Sequence, residues 1–150
     1  MNNALITHEQ RALLLSNGCA SLRDPDFDPV PVVKLFTPDA SATWLLGAID
    51  PDDHDRAYGL CDLGLGLPEL GYLSLEELVG LRGRIVLPVE RDLYFRADRR
   101  LSAYARDARL AESYAREVGR RAPLIGEDTA AVLAGLRAPA PAASVPARGE

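Results

Sequence analysis

The pattern of apolar and polar positions divides the first part of the chain into three short strands. Apolar and β-branched runs occupy residues 30–36, 43–49 and 57–63, and segments rich in aspartate and proline separate them. Runs of this length between turn residues are typical of strands, and short turns between them predict an antiparallel meander. Because proline cannot donate a hydrogen bond to a sheet, Pro31 indicates either an edge strand or a strand that begins one residue later.

A helix is predicted before the strands. Thr7 and Gln10 have the spacing of a capping box, in which each side chain accepts a hydrogen bond from the backbone of the other residue. Gly18 has the conformational freedom to end a helix in the left-handed region. The sequence therefore predicts a helix over 8–17 and, after it, a loop over 21–29.

A second helix is predicted after the meander. Residues 71–73 have the character of an extended segment, and Ser74 with Glu77 forms another capping-box pattern. Leucines at helical spacing follow, so we expect a short helix that ends near Gly83.

The last predicted elements are a strand over 89–95 and a helix over 103–119 with Ser102 as its N-cap. The helix carries one thin apolar stripe at helical spacing, which consists of Tyr104, Ala108, Ala111, Ala115 and Val118. Residues 138–150 alternate alanine and proline, a composition that cannot offset the entropy of ordering and predicts a disordered tail.

Together these elements predict one small α+β domain over residues 1–137. We expect an antiparallel sheet of four or five strands, flanked by two or three helices. The length of 150 residues suits a single domain.

Charge is distributed unevenly along the chain, whose formal net charge is −5. Residues 1–80 carry a net −9, from 13 acidic and 4 basic side chains, whereas residues 81–150 carry +4, from 9 acidic and 13 basic ones. Nucleic-acid binding needs several phosphate contacts from one basic stripe. Acidic residues interrupt the arginines of the second half, so nucleic acid is not the expected partner; a weak binding surface would use Arg96, Arg99, Arg100, Arg106 and Arg109.

The compartment is predicted to be the cytoplasm. The longest nearly apolar stretch, 40–49, is too short to cross a bilayer, and the N-terminus lacks the pattern of a secretion signal. Cys19 and Cys61 have neither metal-ligand spacing nor the density of a disulfide scaffold, so both are expected to be reduced thiols.

No catalytic motif, metal site or cofactor is predicted. The acidic loop 50–55 contains His54 but lacks the glycine and the bidentate glutamate of a calcium loop, and a solvated hairpin loop explains it. Gly64 and Gly66 resemble a phosphate-binding loop, yet no lysine and no helix follow directly, so a structural turn is expected.

The segment Glu90-Arg91-Asp92 is the strongest candidate for a site, because three charges lie between apolar residues. In a strand, Glu90 and Asp92 would point to one face and Arg91 to the other. Burial of any of the three without a partner would be costly, and Lys34 and Tyr72 are the expected partners. Three interpretations remain open: an ion-pair network that fixes the register of the strand, a polar recognition surface, or an acid/base pair of an enzyme.

Several ordered blocks resemble the family known as domain of unknown function 2958. The resemblance covers roughly residues 5–105 and rests on the blocks 33–39, Thr43-Trp44, 58–60, 69–78 and 87–95. It implies a small bacterial protein of a kind often carried by plasmids and other mobile elements, and it implies no particular activity.

The leading functional hypothesis is a non-enzymatic module that binds a protein partner, in a mobile-element system and acting against host defence. Its candidate binding residues are Lys34, Glu69, Tyr72, Glu90, Arg91 and Asp92. One alternative is a metal-dependent hydrolase or nuclease that uses Glu69, Glu90 and Asp92. The other is weak binding of nucleic acid through the arginines after residue 95.

Overall fold

The structure is a computed structural model that describes residues 5–83 and 87–121, with the side chains of 119–121 left out of the description. Its elements, in chain order, are α1 (His8–Arg23), β1 (Val33–Phe36), β2 (Thr43–Asp50), β3 (Asp53–Asp62), β4 (Glu69–Ser74), α2 (Leu75–Gly80), β5 (Glu90–Arg91) and α3 (Leu101–Arg121). No helix within the described residues is both long enough and apolar enough to cross a membrane.

The five strands form one antiparallel sheet in the order β4-β3-β2-β1-β5. The predicted meander of the first three strands is confirmed, and β4 extends it by pairing with β3. β5 returns to the opposite side and pairs with β1. With three helices beside this sheet, the predicted α+β fold class is confirmed.

β2 is buried on both faces, and the two faces support separate cores. On the first, which we call the α1 face, Leu46 and Ile49 pack with Leu14 of α1. On the second, the α3 face, Leu45 packs with Leu101 of α3. Burial of apolar surface on both sides makes β2 the centre of the domain.

The predicted end of the first helix at Gly18 is wrong, because α1 continues to Arg23. Gly18 is needed for contact with the sheet: a Cβ built there would lie 1.9 Å from the carbonyl oxygen of Ile49. One residue earlier, Asn17 Nδ2 donates to the carbonyl oxygen of Gly47 at 2.9 Å. The start of α1 is as predicted, with the reciprocal bonds of Thr7 and Gln10 both present.

The predicted N-cap of α3 is also wrong, because Ser102 lies inside the helix. The loop before β1 caps the helix instead. Asp28 Oδ1 accepts a hydrogen bond from the Ser102 N–H at 3.1 Å, and Asp28 Oδ2 accepts one from the Ser102 hydroxyl. The Leu101 N–H donates to the carbonyl oxygen of Pro29 at 2.7 Å. A carboxylate from a distant segment satisfies the same backbone donor that a local cap would satisfy.

The apolar stripe of α3 is turned slightly from the predicted one. The buried apolar residues of α3 are Leu101, Ala105 and Ala115. Ala115 belongs to the predicted stripe, whereas Leu101 and Ala105 do not. Tyr104, placed on the stripe by the sequence, is half-buried at its margin.

Ser74 caps α2 as predicted, with its hydroxyl accepting from the Glu77 N–H at 3.2 Å. The helix ends at Gly80 rather than near Gly83. Asp55 of β3 reinforces the cap, because its carboxylate accepts from the Ser74 hydroxyl at 2.6 Å and from the Glu76 N–H at 2.8 Å. These two hydrogen bonds lower the pKa of Asp55.

Three further boundaries differ from the prediction. The acidic loop 50–55 is a tight hairpin, since β2 runs to Asp50 and β3 begins at Asp53. β1 begins at Val33, after Pro31, so the first strand is shorter than 30–36; it is not an edge strand, because β5 covers its outer side. The strand predicted over 89–95 is reduced to Glu90–Arg91. The tail over 138–150 and the domain end at 137 lie outside the described residues.

The close approach at Gly18 gives the first testable prediction. Gly18→Ala is expected to lower the free energy of unfolding by about 1–3 kcal/mol, because backbone atoms of β2 cannot yield to the added methyl group. Gly80→Ala is the matched control, since no atom lies within 4 Å of a Cβ built there. Urea denaturation measures both variants, and equal stability of the two would contradict the contact.

Candidate functional site

An open cleft of about 300 Å³ lies where the end of β1 meets β5 and the β1–β2 turn. The helices do not contribute to it. Its lining residues come from β1, the β1–β2 turn, the start of β2 and the position that follows β5. They are Lys34, Phe36, Thr37, Pro38, Ala40, Ser41, Ala42, Thr43 and Asp92.

Lys34 provides the positive charge of the cleft. In β1 its side chain alternates with those of Val33 and Leu35, so it lies on the α3 face. The side chain is only 12% exposed, and Nζ lies 3.8 Å from Asp92 Oδ2. Burial lowers the pKa of the Lys34 amine, and the negative charge of Asp92 partly opposes this effect. The amine is therefore held in a poorly solvated position beside a single carboxylate contact.

Asp92 is oriented by its own backbone surroundings. Its N–H donates to the Lys34 carbonyl oxygen at 2.9 Å, which extends the pairing of β5 with β1. Its Oδ1 accepts from the Tyr94 N–H at 2.9 Å. These bonds fix the carboxylate so that Oδ2 faces Lys34.

Two threonines support the floor of the cleft. Thr37 Oγ1 accepts from the Ala42 N–H at 3.0 Å and so holds the β1–β2 turn closed. Thr43 pairs with Phe36 across β1 and β2. The Thr43 residue is 8% exposed, and its hydroxyl has no hydrogen-bond partner among the described residues. A buried hydroxyl without a partner is uncommon in a folded protein.

Asp39 anchors the turn that walls the cleft. Its Oδ2 accepts from the Leu87 N–H at 3.3 Å. A Cβ built on Gly83 would lie 1.6 Å from Asp39 Oδ1, so a larger residue at position 83 would displace the Asp39 carboxylate. The turn is therefore attached to the chain segment that leads into β5.

The predicted charged segment has the predicted alternation. Glu90 pairs with Phe36 on the α3 face, and Arg91 pairs with Leu35 on the α1 face. Glu90 is exposed, whereas Arg91 is half-buried. Of the two partners expected for this segment, Lys34 is confirmed through its ion pair with Asp92.

Tyr72 is not a partner of the charged segment, and Glu69 does not lie near it. Both residues are on β4, at the opposite edge of the sheet from β5. Four strand spacings separate these edges, which amounts to about 19 Å. The Tyr72 ring instead contacts Tyr58, with ring centroids 5.1 Å apart, and the Arg56 guanidinium, which lies 3.8 Å from its centroid.

The three carboxylates proposed for a metal enzyme therefore do not converge, because Glu69 is across the sheet from Glu90 and Asp92. Among the side chains that the structure describes, no three histidine, cysteine, aspartate or glutamate residues are grouped so that they could hold a metal ion.

Two of the five arginines proposed for nucleic acid are engaged within the chain. Arg99 contacts the carboxylates of Asp98 and Asp107, and its guanidinium lies 4.6 Å from the centroid of the Tyr104 ring. Arg100 donates to the carbonyl oxygen of Asp28 at 2.8 Å. These contacts reduce the basic surface that phosphates could contact.

The site residues that sequence reasoning missed are Phe36 and Thr43. Both belong to predicted strands, and their period-two alternation with Lys34 and Leu45 places them on one face. The missing information was the register, because the pairing of Phe36 with Thr43 is what places Thr43 in the cleft that Lys34 also lines.

The structure is that of a small α+β protein with a polar cleft on one face of an antiparallel sheet. The chain belongs to the family described as protein of unknown function DUF2958, whose profile matches residues 5–115. The predicted family membership is confirmed, and the match extends beyond residue 105 into α3. No curated protein and no solved structure shows significant similarity to the chain.

Lys34→Met separates a structural role of the ion pair from a binding role. Methionine keeps the apolar stem and removes the poorly solvated charge, while the Asp92 carboxylate, which is 29% exposed, keeps contact with solvent. These two effects oppose each other, so we expect the free energy of unfolding to change by less than about 1 kcal/mol. Chemical denaturation measures the change. A loss of more than about 1 kcal/mol would show that the pair with Asp92 stabilises the fold.

Proposed function

We propose that the protein is a non-enzymatic interaction module that binds a protein partner through the cleft at Lys34 and Asp92. The observation that carries this proposal is the Lys34 amine. It is largely buried, yet its nearest carboxylate oxygen is 3.8 Å away, beyond the 2.7–3.2 Å range of an N–H···O hydrogen bond. A charge held in this way costs solvation energy without gaining a strong contact.

The surface next to the cleft supports a protein as the partner. Leu93 and Tyr94 follow Asp92 directly, and they are 70% and 86% exposed. Tyrosine next to an oriented polar group is a frequent arrangement in protein interfaces, where aromatic residues contribute much of the binding energy. Glu90, exposed on the edge strand β5, adds charge to the rim.

The family resemblance supports the biological setting of the proposal. A family of small bacterial proteins often carried by plasmids and other mobile elements favours a cytoplasmic protein whose partner belongs to the host, such as a component of host defence. The recognition surface would then include Lys34, Glu90 and Asp92. Arg91 would lie outside it on the opposite face of the sheet, and Glu69 and Tyr72 would lie outside it on β4.

Site-specific photo-crosslinking in the native bacterial host tests the proposal. A benzophenone amino acid at Tyr94 is expected to crosslink one predominant protein. The same replacement at Tyr114 is the control, because that tyrosine is also exposed but belongs to α3. Adding Lys34→Met to the Tyr94 variant is expected to lower the yield of the adduct at least fivefold.

Equal adducts at positions 94 and 114 would contradict the proposal, as would an adduct at 94 that does not depend on Lys34. Immunoblotting gives the yields, and mass spectrometry identifies the crosslinked protein and the residues that it contributes.

A further inference from the structure

We infer that the cleft binds a carboxamide group, which lies alongside the ion pair and hydrogen-bonds to both Lys34 Nζ and Asp92 Oδ2. We identify this group as an asparagine or glutamine side chain of the protein partner, and this identification rests on the proposed function. The chemistry of the site itself follows from the contacts in the cleft.

The first argument is the hydrogen-bonding capacity that remains at the ion pair. An ammonium group has three donors and a carboxylate oxygen accepts more than one hydrogen bond. Lys34 Nζ and Asp92 Oδ2 are 3.8 Å apart and make no hydrogen bond to any described residue. Asp92 Oδ1 is already occupied by the Tyr94 N–H. The site therefore presents one donor and one acceptor side by side.

The second argument is charge. Lys34 and Asp92 cancel each other, and Glu90 lies on the same face of the sheet. Glu90 does not line the cleft, where an anionic ligand would meet the Asp92 carboxylate and a cationic ligand would meet the poorly solvated amine of Lys34. A neutral ligand avoids both costs. A primary carboxamide carries a carbonyl oxygen for Lys34 beside an N–H for Asp92, and its second N–H remains for another acceptor.

The third argument is the Thr43 hydroxyl. It lines the same cleft, its residue is more than nine-tenths buried, and it has no hydrogen-bond partner among the described residues. In the inferred complex this hydroxyl accepts from the second N–H of the carboxamide, which requires a change of χ1 that turns the buried oxygen toward the cleft. A ligand that satisfies the hydroxyl removes the penalty of leaving it unpaired.

The size and walls of the cleft suit a single side chain. A volume of about 300 Å³ is at the lower limit for sites that hold a drug-sized ligand or a cofactor. Phe36, Pro38 and Ala42 form apolar walls that can contact the methylene stem of a glutamine.

NMR titration of the full ¹⁵N-labelled chain tests the inference. Three probes are the N-acetyl, N-methylamide derivatives of glutamine, glutamate and norleucine, which present a primary carboxamide, a carboxylate and an apolar side chain. The fourth probe is free glycine, a zwitterion that presents both charges. We expect the glutamine probe to cause saturable shifts of the backbone amides in 37–43 and 92–94, with an affinity at least fivefold higher than that of the other probes.

Three variants locate the bound group. Lys34→Met and Asp92→Ala are each expected to weaken binding of the glutamine probe at least tenfold. Thr43→Val, which keeps the shape of the side chain, is expected to weaken it two- to fivefold. Glu76→Ala is the matched control, because this exposed carboxylate lies on α2, and it should leave the affinity unchanged.

The outcomes separate this inference from the proposed function. Linear shifts without saturation, or equal affinity for the glutamine, glutamate, norleucine and glycine probes, would overturn the carboxamide site even if the crosslink at Tyr94 depends on Lys34. Selective, Lys34-dependent binding of the glutamine probe would support the site, and the absence of a crosslinked partner would then count against the proposed function alone.

Discussion

The burial of β2 on both faces is the constraint on which the rest of the structure depends. Neighbouring elements pack against both faces and pair with both edges of this strand. Glycines let their backbones approach closely, because glycine has no side chain. Gly18 brings α1 onto the carbonyl oxygen of Ile49, and Gly59 brings β3 so close that an added Cβ would lie 2.1 Å from the carbonyl oxygen of Leu45. At Gly47, a Cβ would meet the side chains of Pro29 and Leu101 within 3.1 Å. The two cores are therefore positioned by backbone contacts as well as by side-chain packing.

The cleft follows from this arrangement. Asp28 and Pro29 hold the start of α3 over the centre of the sheet, where Leu45 and Leu60 are buried. The helix does not cover the β1–β5 side of the same face. Side chains of β1 that point to this face, such as Lys34 and Phe36, therefore line an open cleft. The site is thus the part of the α3 face that α3 does not reach, which explains how apolar walls and a half-buried charge occur together.

The elements with local signals were predictable from the sequence, and those that depend on distant contacts were not. The capping box of Thr7 and Gln10 and the cap at Ser74 are local, and both are present. Gly18 has two physical uses, a helix end or a close contact, and only the position of β2 decides between them. The cap of α3 was missed for the same reason, because Asp28 is 74 positions away from Ser102.

The candidate site was predictable in part. Lys34, Glu90 and Asp92 are brought together, since alternation along a strand can be read from the sequence once its partner is known. Glu69 and Tyr72 were grouped with them because their sequence blocks are neighbours, yet strand order places them at the opposite edge. Strand order in a sheet depends on which chain segment closes each edge, and no local pattern in this chain specifies that β5 returns to β1.

Lys34 is the only lysine among 17 basic residues, and its chemistry explains why arginine does not serve at this position. A guanidinium is planar and carries five donors in a fixed fork, so it would fill the space beside Asp92 with a bidentate contact and close the cleft. The lysine instead ends in a compact ammonium group, which lies 3.8 Å from the carboxylate oxygen of Asp92. This separation is too short to admit a ligand atom between the two groups, but it leaves both of them able to hydrogen-bond a ligand that contacts them from the cleft.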